Sequence, residues 1–223
     1  PFYKIASADI TNIPLIEYLA KLNKPIIMST GGATLEDVKR AHKTILKYHN
    51  QIAILQCTAS YPAEPKDLNL KVVERYREEF PDCVIGLSDH QSGISMALVA
   101  FVLGARIVEK HFTLNRAWKG TDQAFSLEPD GLRKLVRDLR RGKDALGDGN
   151  KHLMECEKAP LHKMTKKLVA KGFLKKGTVL SKDHISIKSP GDGLSPIYFN
   201  DIIGKTLQKD LNSEENISLD ILK

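Results

Sequence analysis

Short apolar runs alternate with amphipathic stretches through the first 145 residues. The strand candidates are Phe2 to Ala6, Pro25 to Ser29, Ile52 to Cys57, Cys83 to Leu87 and Arg106 to Glu109, each rich in aliphatic residues and bounded by polar or turn-forming ones. Between them, apolar residues recur at helical spacing: Leu15, Ile16 and Leu19; Leu35, Val38, Ala41 and Ile45; Leu70, Val73 and Tyr76; Ile94, Leu98 and Phe101. Thr34 with Asp37 three residues on predicts a capped start for the second of these helices. A fifth helix, opened by Pro129 and Asp130, carries Leu132, Leu135, Val136 and Leu139, with Gly147 just beyond its end. Strict β/α alternation predicts a parallel sheet covered on both faces. It admits two architectures, an open doubly wound sheet or part of a closed (β/α)₈ barrel.

The alternation stops after Gly147, so residues 1–147 form one predicted domain. Residues 148–165, within a Lys-rich stretch from Lys151 to Lys167, read as a linker. Residues 166–223 have a different texture: Leu168 to Ala170, Thr178 to Leu180 and Ile185 to Lys188 as strands, then a turn from Ser189 to Gly193 and a short helical piece ending near Gly204. The prediction is a small β-rich domain, close to the lower size limit for a self-sufficient core.

Composition narrows the class. At 42% hydrophobic residues the 223-residue chain can bury a core, which excludes disorder. No apolar run approaches the roughly 20 residues that a bilayer requires, so no membrane span is expected. Cys57, Cys83 and Cys156 are too few and too scattered for a disulfide framework, and no secretory pattern precedes the first strand, so the expected compartment is the cytoplasm. The net charge of +7 is spread thinly: residues 1–150 carry 21 basic against 18 acidic side chains, and residues 151–223 carry 13 against 9. No basic block is interleaved with aromatics, so nucleic acid is not the expected partner and small anions are.

Chemistry-bearing residues recur at one place, the C-terminal ends of the strands. Lys4 and Ser7, Ser29 and Thr30 before Gly31 and Gly32, Thr58 and Tyr61, Ser88-Asp89-His90 and Glu109-Lys110-His111 all fall there. In either architecture this edge is where ligands bind. Taken singly, a Ser or Thr at a strand end commonly caps the next helix, and a lone His is usually a hydrogen-bonded surface or core residue. Repetition over five strands is not demanded by folding. His90 and His111 end consecutive strands, about 4.8 Å apart, a spacing that can bring two imidazoles to one divalent metal with positions left for substrate and water. Lys4, Ser7, Ser29 and Ser88 supply a cation and hydroxyls suited to phosphate or carboxylate.

At these same residues the chain closely resembles the sialic acid (N-acylneuraminate) synthase family. The resemblance runs through Lys4-Ile5-Ala6-Ser7, Pro25-Ile26-Ile27-Met28-Ser29-Thr30-Gly31, Cys57-Thr58-Ala59-Ser60-Tyr61-Pro62, Gly86-Leu87-Ser88-Asp89-His90, Glu109-Lys110-His111-Phe112-Thr113 and Ser126-Leu127-Glu128-Pro129. It implies the last five βα units of a (β/α)₈ TIM barrel, followed by an antifreeze-like (SAF) domain. It further implies condensation of phosphoenolpyruvate with an N-acylated mannosamine-type sugar, giving a nine-carbon 2-keto sugar acid and phosphate. A divalent metal, Mn²⁺ or Mg²⁺, would be held by His90 and His111; the donor would be held by Lys4, Ser7, Ser29 and Ser88; the sugar would meet Tyr61 and Asp122. The partner would be a second copy of the chain in a domain-swapped homodimer.

Three positions depart from the family pattern. Asp9 stands where many members carry a catalytic Glu, Ala59 replaces an amide-bearing residue, and Ser189 replaces an Arg that meets the sugar's acyl group. From Ser189 the expectation is an altered acceptor, with Lys188 or a neighbouring loop as the alternative source of charge. Five strands cannot close an eight-stranded barrel, so the resemblance implies an enzyme of roughly 340 residues. Two other readings stay open from the residues: a related phosphoenolpyruvate-dependent sugar-acid synthase, and a carbohydrate-binding protein of polysaccharide assembly without turnover.

Overall fold

The computed structural model describes residues 1–223 and divides into two units, Pro1–Gly149 and Asn150–Lys223. In the first unit five strands, β1 (Tyr3–Ile5), β2 (Ile26–Ser29), β3 (Ile52–Cys57), β4 (Val84–Asp89) and β5 (Ile107–Lys110), pair in sequence order, all parallel. They form a curled half-barrel. The connecting helices are α1 (Ile13–Lys21), α2 (Leu35–Leu46), α3 (Val72–Glu79) and α4 (Ser95–Val102), and α5 (Pro129–Leu146) follows the last strand.

Period-two alternation gives each strand two different faces. Ile26, Met28, Ile54, Ile85 and Leu87 pack outward against Ile16, Val38, Ile45, Val73 and Ala100 of the helices, in one buried cluster. The other face, along Ile27, Leu55 and Ile107, leads up to Lys4, Glu109 and His111. All six residues of β3 are buried, as a central parallel strand requires.

Local sequence accounts for most helix ends. The Thr34 hydroxyl accepts from the Asp37 amide, and the Asp37 carboxylate accepts from the Thr34 amide, so the expected capping box is present. Pro129 occupies the first turn of α5, and Gly147 ends it with a φ of 58°. Differences are confined to margins. β4 and β5 run on to Asp89 and Lys110, placing three more polar residues, Ser88, Asp89 and Lys110, in the sheet than hydropathy predicts, and Leu70 precedes α3 because Asn69 turns the chain with a φ of 44°.

In the second unit β6 (Lys167–Ala170) pairs antiparallel with β7 (Ile185–Lys188). Ten buried apolar side chains, among them Leu168, Leu180, Ile202, Leu207, Leu211 and Ile217, give this unit a core of its own. Two expectations are corrected here. The stretch read as a linker contains a 3₁₀ turn, Glu155–Glu157, and helix α6 (Lys158–Met164), and it clusters with the second unit. Lysine is a good helix former, so Lys-rich composition is a poor sign of a linker; the Glu157 carboxylate also takes the Met154 amide at 2.8 Å. The expected strand from Thr178 to Leu180 reduces to a single bridge, Val179 to Thr206. The short helix α7 (Phe199–Ile202) lies where the helical piece before Gly204 is predicted. No helix is long and apolar enough to cross a membrane.

Candidate active site

Strand register assembles the site. Cys57 on β3 pairs with Ser88 on β4, which pairs with Glu109 on β5, so the three stand in one row on the inner face. Two residues further along each chain segment come His90 and His111, just past the last register pair, with ring centroids 5.2 Å apart. Lys4 extends from β1 to place Nζ 3.6 Å from Glu109 Oε2, and Ser88 Oγ donates to Glu109 Oε1 at 2.6 Å. On the other flank Ser7 Oγ accepts from the Gly31 amide at 2.9 Å and donates to Cys57 Sγ at 3.4 Å. Cys57 Sγ in turn lies 3.7 Å from His90 Nδ1. Gly31 is required for this approach: a Cβ there would stand 2.9 Å from both Cys57 Sγ and Ala59 Cβ.

Ser29 is different from its neighbours. It is 2% exposed, and its hydroxyl has no hydrogen-bond partner in the protein. Leaving a buried hydroxyl unpaired costs about 1 to 3 kcal/mol, and such a group calls for an explanation.

His90 Nδ1 lies 3.0 Å from the Thr58 carbonyl oxygen. Because a carbonyl can only accept, Nδ1 carries the proton and Nε2 offers its lone pair in the neutral ring. Burial pulls the His90 pKa down, but the contacts with the Cys57 thiol and the Thr58 carbonyl outweigh it and hold the ring above the ordinary histidine value. Burial likewise works against ionisation of Cys57, yet the bonds from His90 and Ser7 leave its thiol below the usual range. His111 is pushed down by burial and then by the neighbouring His90.

The sugar candidates join the imidazoles. The Tyr61 ring is 4.4 Å from His90 and 5.8 Å from His111, and Asp122 Oδ2 is 3.6 Å from His111 Nδ1. Phe125, with its centroid 5.0 Å from His111, closes the other side. Asp9 is not brought into this network; its carboxylate accepts from Asn12 Nδ2 at 3.3 Å, beside the start of α1. Sequence reasoning gave no role to Cys57, Glu109 or Phe125. The signal for the first two was available, since period two puts residue 57 in line with 55, and 109 in line with 107 and 111.

For a divalent metal the donor set is partial. Two imidazoles converge, but no three His, Cys, Asp or Glu side chains come together as a ligand group. Lys4 and Ser88 already engage the nearby Glu109 carboxylate. The chain therefore offers two protein ligands and leaves the remaining positions to other oxygens. That arrangement fits an ion used in catalysis better than a structural one.

In the second unit, Ser189 does not stand alone. Lys166 Nζ donates to Ser189 Oγ at 2.5 Å, whereas Lys188 turns to Glu214 at 3.0 Å. The charge at this turn comes from Lys166, not from the adjacent residue.

A curled parallel sheet that gathers a cation, three hydroxyls and two imidazoles at its carboxyl edge defines a barrel-type α/β protein with its chemistry at the edge where such folds bind ligands. The chain belongs to the NeuB family, whose model matches residues 1–151, and residues 166–222 match the SAF domain. It is 36% identical over 218 residues to the human N-acetylneuraminate-9-phosphate synthase, an alignment covering 97% of this chain and 61% of that one. The N,N'-diacetyllegionaminic acid synthase of Campylobacter jejuni is 38% identical over 218 residues, covering 96% and 65% respectively. The crystal structure of the spore coat polysaccharide biosynthesis protein SpsE from Bacillus subtilis superposes with a TM-score of 0.63 at 33% identity, covering all of this chain and 67% of that one. The chain thus spans between 61% and 65% of the two curated relatives.

Proposed function

We propose that the protein carrying this chain condenses phosphoenolpyruvate with an N-acylated mannosamine-type sugar, in the making of a surface or spore-coat polysaccharide. The observation that carries this reading is the convergence of Lys4, Ser7, Ser29 and Ser88 on the sheet edge that also presents His90 and His111, with the buried Ser29 hydroxyl still unpaired. An anion with several acceptor oxygens satisfies that hydroxyl and the Lys4 ammonium together. In the reaction, C3 of phosphoenolpyruvate bonds to the sugar's aldehyde carbon, water adds at C2, and the C2–O bond breaks to release phosphate. The products are one 2-keto acid and one phosphate for each donor, acceptor and water consumed.

Each residue has a definite task in this scheme. Lys4 and the three serines hold the donor's negative groups, and Glu109 aligns Lys4 and Ser88. Tyr61 and Asp122 stand beside the imidazoles, where the acceptor's hydroxyls would lie. A divalent ion on His90 and His111 would supply Lewis-acid polarisation of the aldehyde. Imidazole ligands favour Mn²⁺ over Mg²⁺, which prefers oxygen. Asp9, tied to Asn12, would need to turn to serve as a proton carrier. The second unit is assigned to a partner subunit's site in a head-to-tail dimer, with Lys166 and Ser189 offering donors to an acyl carbonyl; light scattering showing an active monomer would remove that assignment.

The test is phosphate release by the intact protein with Mn²⁺, phosphoenolpyruvate and a panel of N-acylated hexosamines. One phosphate per nine-carbon product supports the reading, and sugar binding without release overturns it in favour of a binder. Ser29→Ala separates site from scaffold. Removing an unpaired buried hydroxyl should leave the thermal midpoint unchanged or raise it, while the KM for phosphoenolpyruvate rises about tenfold through the loss of one charge-assisted hydrogen bond. An unchanged KM would take Ser29 out of the donor site.

A further inference from the structure

The motifs Ser88-Asp89-His90 and Glu109-Lys110-His111 each send their middle residue to the opposite face of the sheet from the other two. There, Asp89 and Lys110, which are register partners, form an ion pair at 3.0 Å with side-chain exposures of 0% and 4%. Nothing in the proposed chemistry uses this pair. Stability does not explain it either, because burying two charges forfeits their hydration, and well-packed apolar residues of similar volume do as well or better.

Its contacts point to another purpose. Asp89 Oδ1 accepts from the Gln91 amide at 2.9 Å, and Lys110 Nζ donates to the Gln91 carbonyl in a short bond. The pair thus grips both backbone polar groups of the residue that follows His90, and Lys110 itself precedes His111. On the inner side, His90 is held through its carbonyl by the Ala63 amide at 3.1 Å and through Nδ1 by the Thr58 carbonyl at 3.0 Å. Pairing between β4 and β5 ends at Asp89 and Lys110. Both imidazoles therefore lie just past the last β4–β5 ladder pair; there the His111 carbonyl accepts from the Leu127 amide at 2.8 Å, while the backbone after His90 is bonded through Gln91 to Asp89 and Lys110.

We propose that the buried Asp89–Lys110 pair is a positioning clamp that extends the sheet's rigidity by one residue, fixing the orientation of His90 and its separation from His111. This rests on the metal reading for its functional use, but not for its geometry. It acts from beneath the site and touches neither substrate nor ion.

The test compares the intact protein with an apolar pair, Asp89→Leu with Lys110→Met, by two measurements. In metal-free, ¹⁵N-labelled protein, long-range ¹H–¹⁵N spectra report the His90 tautomer: a single Nδ1–H form in the parent and a mixture in the variant are expected. Titration with Mn²⁺, followed by the electron paramagnetic resonance of the free ion, should show affinity about tenfold weaker in the variant, the scale of lost outer contacts to a metal ligand, with the thermal midpoint equal or higher. If the variant folds with a single tautomer and parental affinity, the clamp is refuted. Should that pair fail to fold, Asp89→Asn with Lys110→Gln keeps the site polar but removes the charges and shortens the reach to Gln91; parental behaviour there refutes the clamp equally. A parent protein that does not bind Mn²⁺ refutes the metal reading, and the tautomer measurement still decides the clamp.

Discussion

Lys4→Met should abolish efficient use of the donor while leaving the fold in place. The kcat/KM for phosphoenolpyruvate is expected to fall about 10²- to 10³-fold, the scale of losing one preorganised electrostatic contact in an active site. The reason is geometric: Lys4 is the ammonium that reaches Glu109, whose other carboxylate oxygen takes the Ser88 hydroxyl. Stability should barely respond, because the Lys4–Glu109 pair is 3.6 Å long with side chains 28% and 42% exposed, and such pairs contribute about 0 to 1 kcal/mol. The thermal midpoint should therefore move by no more than about 4 °C. Lys4→Arg should recover only part of the loss, since its planar fork cannot occupy the place of a point-like ammonium. Donor kinetics unchanged in Lys4→Met would make Lys4 a structural residue.

Gly86→Val should have the opposite signature, a stability loss that carries activity with it. Gly86 lies inside β4, paired with Leu55 on one side and Ile107 on the other. A Cβ there would stand 2.5 Å from the Ile107 carbonyl oxygen and 2.5 Å from Leu55 Cδ2. A side-chain tip could rotate away, but the carbonyl belongs to β5 and can retreat only if the strands part. Overpacking of this kind costs about 3 kcal/mol, which lowers the midpoint of a domain this size by roughly 6 to 12 °C. The same displacement widens the gap between β4 and β5 beneath His90 and His111, so phosphate release should fall even well below the midpoint. A midpoint within 2 °C or so of the parent's would show that β4 and β5 absorb the methyl groups by a local shift.

The two predictions mark the limits of what hydropathy can convey. The five strands, the helices between them and the ends of α2 and α5 were legible because each is encoded locally, by apolar period, by Thr34 and Asp37, by Pro129 and Gly147. The edge position of Lys4, Ser7, Ser29, Ser88, His90 and His111 was legible too, because strand ends are visible as the point where apolar runs give way to polar ones. Which of those polar residues meet was not. That depends on register between residues 21 to 31 apart in sequence, as when Cys57 and Ser88 come level or Asp89 finds Lys110. Helix α6 was missed for the opposite reason: its seven residues carry too little periodicity to stand out from a lysine-rich background.

Glu109 gives the site a property of its own. Its carboxylate already neutralises Lys4 and occupies the Ser88 hydroxyl, so an arriving anion exchanges with a tethered competitor rather than entering a bare cationic pocket. For a singly charged anion such as acetate the exchange is close to even, one carboxylate for another. A ligand carrying both a carboxylate and a phosphate brings a second charged group that Glu109 cannot imitate, and neither the Ser29 nor the Ser7 hydroxyl is bonded to Glu109. As the proposed donor site, the sheet edge would thus work as a valence filter, discriminating among small anions by number of charged groups before shape is tested at all.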